Sequence, residues 1–225
     1  MSAFKSLLGA AAIAAFVVPA SAPAMAAVIT PVSVVASSQL SGYGRVAVNT
    51  INSSGLSGLG HGTDPTTMWL STGNGAAGGT PDLAPSITFD LGSVVSINSA
   101  QIWNYNESGG TNRGVTSFSF SSSLDGITYT SLSSFTLTAA SGSAGDLAQT
   151  VAVTASAEFI RLSRLTSADT EGFVGLSEVR FTTANALIEG TGIPEPSSAA
   201  LLLVGLVGCV FAVRGSRAKA SMIGA

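Results

Sequence analysis

The residue types best suited to bind a ligand are two tryptophans and the polar side chains that follow one of them. Trp69 and Trp103 are the only tryptophans in the sequence. Trp103 begins a polar and aromatic stretch whose side chains could complete a site: Tyr105, Asn106 and Arg113. The face of an exposed indole stacks on a sugar ring, and polar neighbours then hydrogen-bond its hydroxyls. A binding protein should therefore expose at least one indole face, whereas a structural spacer should bury both. Arg113 could instead pair with Glu107 within its own loop.

His61 is the only histidine, and Asp64 and several serines lie near it in the sequence, so a hydrolase triad has to be considered. The sequence contains neither a G-x-S-x-G elbow nor an H-E-x-x-H motif. A lone histidine in a glycine-rich loop is usually an ordinary polar loop residue. We therefore expect no enzymatic activity, and we treat His61 as a residue that could contact a ligand.

The charge and cysteine content of residues 27–193 exclude several classes of function. This span has five arginines, eleven carboxylates and no lysine. An acidic domain of this kind cannot collect phosphates electrostatically, so we expect no nucleic-acid partner. The only cysteine of the chain, Cys209, lies outside the span. The domain should therefore fold by packing, without a disulfide or a cysteine metal site.

Residues 27–183 show the alternation of apolar and polar side chains that is typical of β-strands. Examples are Ile87, Phe89 and Leu91 in SITFDLG, and Ile160 and Leu162 in EFIRLSRL. Further alternating runs include Phe118 and Phe120, then Ile127 and Tyr129 across an Asp125-Gly126 turn, and finally Leu176, Val179 and Phe181. The turn predicts a β-hairpin. Short strands separated by Gly- and Ser-rich loops, with no helical units between them, predict an all-β fold that is a β-sandwich or a jelly roll.

Both ends of the chain have the properties of targeting segments. Residues 1–26 combine Lys5, an apolar stretch from Leu7 to Val18 and the small-residue cleavage pattern Ala24-Met25-Ala26. This arrangement predicts a removable signal peptide. Residues 184–193 form a linker to an uncharged run at 199–213, which is ~22 Å long as a helix and therefore a marginal membrane span. Basic residues beyond this run favour a cytoplasmic tail at 218–225.

The C-terminal segment 194–217 resembles the PEP-CTERM sorting signal of Gram-negative bacteria. Its parts appear in order: Pro194, Glu195 and Pro196, then the apolar run, and then basic residues that begin at Arg214. The resemblance implies that an exosortase is a partner and cuts the chain near the prolines. The protein would be exported across the inner membrane and held transiently by the short helix. It would then reach the cell surface or the extracellular matrix, in the context of exopolysaccharide and biofilm production.

The middle of the chain resembles the discoidin, or coagulation factor 5/8 type C, group of galactose-binding-like domains. The matching stretches include AVNTINSSGL, MWLS, ITFDLGSVVSI, IWNYNE, SSSLDGITYT, EFIRLSRL and GLSEVRF, in the order of the family. The resemblance implies a non-catalytic domain that binds carbohydrate, with extracellular polysaccharide as the expected partner. The alternative is a structural matrix protein without a specific ligand.

The same resemblance implies a structural calcium ion. In carbohydrate-binding relatives, an early loop and a glutamate near the last strand hold this ion. The corresponding residues here are Asn52 and Glu178. Calcium requires six to eight oxygen ligands, and Asn52 stands where an aspartate is common, so the site should be weak.

Overall fold

The computed structural model describes residues 27–75 and 77–183. The signal peptide, the linker, the sorting motif with Pro194, Glu195, Pro196 and Arg214, and the apolar run 199–213 all lie outside the described residues. Within the described part, no helix is long and apolar enough to cross a membrane.

The described residues form an all-β sandwich of antiparallel strands. The strands are β1 (Val28–Ile29), β2 (Ser33–Ala36), β3 (Leu56–Ser57), β4 (Gly60–His61), β5 (Trp69–Leu70), β6 (Ile87–Asn104), β7 (Val115–Ser123), β8 (Thr130–Thr136), β9 (Asp146–Leu147), β10 (Gln149–Ser167) and β11 (Gly175–Thr183). Four single-turn 3-10 helices lie in the connections, at Ser41–Tyr43, Ala47–Thr50, Pro65–Thr67 and Thr111–Arg113.

Two long strands, β6 and β10, belong to both halves of the sandwich. The first part of β6 pairs with β2 on one side and with the second part of β10 on the other. The second part of β10 also pairs with β7, and β7 pairs with β8. The second part of β6 pairs with β11 and with the first part of β10. The β10–β6 ladder has irregularities between Ala152 and Ala155 and between Ala157 and Phe159. Such irregularities bend strands, which lets one pair of strands serve two layers.

The core lies between the two halves, as the alternation predicted. Ile87, Phe89, Ile160 and Leu162 are buried with at most 1% exposure. Phe120 of β7 and Phe181 of β11 are not on neighbouring strands, yet their ring centroids are 6.4 Å apart in an edge-to-face contact. The two halves therefore face each other across a layer of aromatic and aliphatic side chains.

The predicted hairpin is present as β7 and β8, but its turn is longer than the sequence pattern indicated. Ile127 and Tyr129 lie outside the strands, and β8 begins at Thr130. The Asp125 side chain explains the difference, because its Oδ1 accepts the backbone N–H groups of Ile127 (2.9 Å) and Thr128 (2.8 Å). These hydrogen bonds keep the residues in the turn instead of in the ladder.

Strand β11 also departs from simple alternation, because residues from Gly175 to Val179 are buried on both faces. One face packs in the core. The other lies under the loop at Ser53, whose backbone N–H donates to Glu178. The same segment continues into β3 and β4, which form a small sheet with β9, and Leu59 between them accepts a hydrogen bond from Trp103 of β6. This covering layer determines the accessibility of several predicted site residues.

Candidate functional site

A cleft with a volume of about 190 Å³ lies among the loops at one end of the sandwich. Four connections build it: the segment before the Ala47–Thr50 helix, the loop between β5 and β6, the loop that follows β6, and the loop between β10 and β11. Its lining residues are Leu40, Tyr43, Arg45, Ala77, Arg113, Glu171 and Phe173. A second apolar cluster, formed by Leu40, Met68, Leu70, Tyr105 and Phe173, supports the cleft from below.

Glu107 organises the polar wall of the cleft. Its Oε1 accepts a hydrogen bond from Nη2 of Arg45 at 2.7 Å, and its Oε2 accepts one from Nη1 of Arg113 at 3.0 Å. The hydroxyl of Tyr105 also donates to Oε2, at 2.8 Å. Charge-assisted hydrogen bonds of this kind hold guanidinium groups in defined positions. The cleft therefore presents two arginines that are already oriented before a ligand arrives.

The charges around the cleft are close to balanced. Arg45 and Arg113 share Glu107, and Nε of Arg113 lies 3.9 Å from Oδ1 of Asp169. Glu171 adds an exposed carboxylate at the rim. Burial raises the pKa of Tyr105, and its hydrogen bond to Glu107 raises it further. Tyr105 thus remains a neutral hydrogen-bond donor.

Each of the two arginines keeps one buried guanidinium donor without a hydrogen-bond partner among the residues that the structure describes. These donors are Nε of Arg45 and Nε of Arg113. Arg113 also lies over the ring of Phe173, with its Cζ 5.4 Å from the ring centroid. Next to this wall, Tyr43 is 58% exposed and lines the opening. Donors, an acceptor and an aromatic ring at one opening are the groups that recognise a hydroxylated ring.

Neither tryptophan has the exposed face that the sugar-stacking hypothesis requires. Trp69 is fully buried in the core, and its Nε1 donates to the carbonyl of Ser38 at 2.9 Å. Trp103 is 3% exposed, and its Nε1 donates to the carbonyl of Leu59 at 3.0 Å. The loop that contains Leu59 lies against Trp103. Arg180 lies on the same ring, with its Cζ 5.6 Å from the ring centroid. Both indoles therefore have structural contacts in this fold.

Tyr105 and Asn106 are buried as well and lie beneath the loops. Nδ2 of Asn106 donates to the carbonyls of Gly62 (3.0 Å) and Ser143 (2.8 Å), and its Oδ1 accepts from the backbone N–H of Gly142 at 2.8 Å. The amide thus joins two loops that are far apart in sequence. Of the predicted ligand residues, Arg113 alone lines the cleft, where it also forms the predicted pair with Glu107.

His61 is buried, and both ring nitrogens face backbone carbonyls. Nδ1 lies 3.0 Å from the oxygen of Gly62, and Nε2 lies 3.0 Å from the oxygen of Ser54. These contacts orient the ring within the covering layer. A triad would need a serine hydroxyl and a carboxylate at those nitrogens instead.

The residues at the expected calcium site do not fit a divalent cation. Oε2 of the buried Glu178 accepts the backbone N–H of Ser53 at 3.2 Å, and its Oε1 accepts from Nε of Arg180 at 3.2 Å. Nη2 of Arg180 also donates to Oγ of Ser53 at 2.8 Å. The guanidinium thus already supplies positive charge between this loop and strand β11. Asn52 is exposed, and its Oδ1 accepts the N–H of Ser54.

Sequence reasoning missed most of the cleft: Tyr43, Arg45, Glu171 and Phe173. The segment SGYGR carries the one available signal, because an aromatic residue and an arginine stand among glycines, where a core residue is not expected. The other two missed residues, Glu171 and Phe173, lie more than sixty residues from this segment, and no local sequence pattern connects them to it.

Comparison with known proteins agrees with this architecture. The F5/8 type C domain model matches residues 33–179. The chain belongs to this family. No curated protein matched the sequence.

Several solved structures share the F5/8 type C fold of this chain. A family 32 carbohydrate-binding module of NanJ from Clostridium perfringens, solved with galactose, is 19% identical, with a TM-score of 0.52 over 70% of this chain and 99% of that chain. The CBM32-5 module from the same organism, solved with GalNAc-β-1,3-galactose, is 22% identical, with a TM-score of 0.51 over 68% and 94% of the two chains. The C-terminal domain of a Bacteroides fragilis chitobiase is 17% identical, with a TM-score of 0.52 over 70% and 98%. At these identities the likeness shows the fold.

Proposed function

We propose that the protein is a non-catalytic carbohydrate-binding protein, and that the cleft around Glu107 holds the sugar. The observation that carries this proposal is the position of Arg45 and Arg113 on one carboxylate beside the exposed ring of Tyr43. Guanidinium donors bind sugar hydroxyls, the rim carboxylate of Glu171 accepts from them, and Tyr43 packs on the ring. The sugars found in similar modules from Clostridium perfringens support the same class of ligand.

The balanced charge of the cleft favours neutral sugars of an extracellular polysaccharide. A uronate would meet Glu171 and Asp169, whereas both arginines are already paired. Galactose is the first probe because the NanJ module was solved with it. The competing function is a structural spacer, and the burial of both tryptophans is the observation that favours it.

A binding experiment on the full chain separates the two functions. We would screen an array of immobilised neutral and acidic glycans and then titrate galactose by calorimetry, with Arg113→Gln and Tyr43→Ala as cleft variants. Arg113→Gln should lower affinity by about tenfold or more, because hydrogen bonds to charged groups contribute about 1.5–3 kcal/mol. Tyr43→Ala should lower affinity as well, because the sugar ring loses the aromatic surface on which it packs. Arg164→Gln, an exposed arginine outside the cleft, is the matched control. A folded protein that binds no glycan on the array would establish the spacer function instead.

We further propose that the protein is exported and then processed at its C-terminal end by an exosortase. The support is the order of signal peptide, Pro194-Glu195-Pro196, apolar run and Arg214 in the sequence. The short apolar run would hold the chain in the inner membrane until it is cut, and the product would reach the envelope or biofilm matrix. Mass spectrometry of the mature protein, with and without the exosortase, tests this. A mature chain that retains residues 199–213 in a host with exosortase would contradict the proposal.

A further inference from the structure

A second group of aromatic and polar side chains lies on a sheet face of the sandwich, formed by β2, β6 and β10. Ile160 and Leu162 of β10 are buried, so the residues that alternate with them, Phe159 and Arg161, point away from the core. The same alternation directs Thr88 and Asp90 of β6 outward, because Ile87 and Phe89 are buried.

The strand register places these outward residues in two rows. One row contains Ser33, Asp90 and Phe159, and the next contains Val35, Thr88 and Arg161. These residues line a shallow depression of about 270 Å³, together with Gly126 and Tyr129 of the β7–β8 turn. We call this set the sheet-face site.

Arg161 lies at the centre of the sheet-face site and is held rigidly. Its Cζ is 3.6 Å from the centroid of the Tyr129 ring, and its Nε donates to Oγ1 of Thr88 at 3.2 Å. Among the described residues, no carboxylate oxygen lies within 4.0 Å of its guanidinium nitrogens. The contact with the Tyr129 ring therefore orients the remaining N–H groups of Arg161, and these groups form no ion pair with a described residue.

The apolar part of the site is also unusual for a solvated sheet face. Phe159 is partly exposed, its ring lies beside Gly126, and Val35 is 70% exposed. Isolated apolar residues are common on protein surfaces, but here they surround an arginine and a carboxylate in one depression. Asp90 can accept hydrogen bonds, Arg161 can donate them, and the aromatic rings offer flat contact surfaces.

From this combination we propose that the sheet-face site is a second carbohydrate-binding surface, for neutral sugar units of the same polysaccharide that the cleft binds. Arg161 and Asp90 balance each other in charge, which favours an uncharged ring over an anion. The proposal rests on the proposed function for the class of ligand. Two sites on one domain bind a polymer more tightly than a single sugar, because the second contact is intramolecular.

The test compares a polymer with a single sugar, using the full-length protein. Affinity electrophoresis in gels containing galactan or arabinogalactan measures polymer binding, and calorimetry with galactose measures the cleft. The sheet-face variants are Phe159→Ser and Arg161→Gln, the cleft variant is Tyr43→Ala, and Arg164→Gln is the control. Size-exclusion chromatography of each variant reports its oligomeric state.

We expect the sheet-face variants to lower polymer affinity by about tenfold or more and to leave the affinity of the cleft for galactose unchanged, so that loss of a second galactose site changes the stoichiometry only. Tyr43→Ala should weaken both. Unchanged polymer affinity in Phe159→Ser and Arg161→Gln would overturn the sheet-face site while leaving the cleft proposal intact. A wild-type protein that elutes as a dimer, with sheet-face variants that elute as monomers, would assign the face to a second copy of the chain instead. A wild-type protein that binds neither galactose nor polymer would overturn both proposals.

Discussion

Glu107 is the residue on which the cleft geometry depends most, because three donors converge on its two oxygens. Glu107→Gln replaces one of those oxygens with an amide NH₂ group, which then faces a donor. We expect the free energy of unfolding to fall by about 1–3 kcal/mol, the usual cost of leaving buried donors without an acceptor. Urea denaturation measures this loss. Glu158→Gln, which breaks no ion pair among the described residues, is the control. Equal stability of the two variants would mean that the network is not preformed.

Asp125 provides a residue-level prediction about pH. Hydrogen bonds from the N–H groups of Thr128 and Ile127, and from the hydroxyl of Ser123, lower the pKa of this carboxyl below its ordinary value of 3.8. A carboxylate with a lowered folded pKa stabilises the fold above its unfolded pKa and loses that effect as pH falls through the folded pKa. Asp125→Ala should therefore melt below wild type at pH 7, and the gap should shrink below pH 4. A gap that stays constant down to pH 2.5 would contradict this assignment.

At the scale of elements, the start of β11 is packed too closely for any side chain. A Cβ atom on Gly175 would lie 2.5 Å from Cδ2 of Tyr105 and 2.7 Å from the carbonyl oxygen of Trp69. Since one of these neighbours is backbone, the strand itself would have to move. We expect Gly175→Ala to cost about 1–3 kcal/mol in chemical denaturation, as other overpacked sites do.

Gly42→Ala is the matched control for Gly175→Ala, because nothing lies within 4 Å of a Cβ built there and its φ is not positive. Its effect should stay within about 0.5 kcal/mol. If both substitutions had the same small effect, the strand would be able to shift, and its position would be less constrained than the contacts indicate.

The loop around Ser53 and strand β11 are joined by hydrogen bonds of Arg180 and Glu178. Ser53 has φ +63°, which is uncommon for a residue with a side chain, and its backbone N–H and its hydroxyl are both bonded to this pair. We predict the same melting temperature in millimolar calcium and in EDTA. Arg180→Gln should lower it, because the buried carboxylate of Glu178 loses its partner. A rise in melting temperature with calcium would show that a cation takes part after all.

At the scale of the whole described domain, the two long strands β6 and β10 connect both halves of the sandwich, so we expect it to unfold as one cooperative unit. Nothing in the described domain depends on thiol chemistry, since the only cysteine of the chain is Cys209. Unfolding of the monomer should therefore be the same with and without dithiothreitol. A transition that shifts with reductant would point to a cross-link between chains through Cys209, and non-reducing electrophoresis would detect it.

Much of the fold could be predicted from local sequence patterns. The alternation of Ile87 and Phe89 with Thr88 and Asp90 correctly predicted which side chains face the core, because a strand directs successive residues to opposite faces. The β7–β8 hairpin was predicted for the same local reason, and the length of its turn was wrong only where the Asp125 side chain holds two backbone N–H groups. The family resemblance was also confirmed, since the F5/8 type C domain model matches residues 33–179.

By itself, the sequence determined the core-facing residues of the strands that were predicted and the lack of a disulfide in the domain, because these follow from local periodicity and composition. The family followed from the resemblance of several sequence stretches to known members. The tertiary structure alone decided which side chains are accessible. Trp69 and Trp103 are buried because distant segments pack over them. Arg45, Glu107 and Arg113 meet because two loops, the one before the Ala47–Thr50 helix and the one after β6, end at the same edge of the sandwich. Contacts between residues sixty positions apart depend on how strands bend and pair across the whole domain, and no short stretch of sequence encodes that geometry.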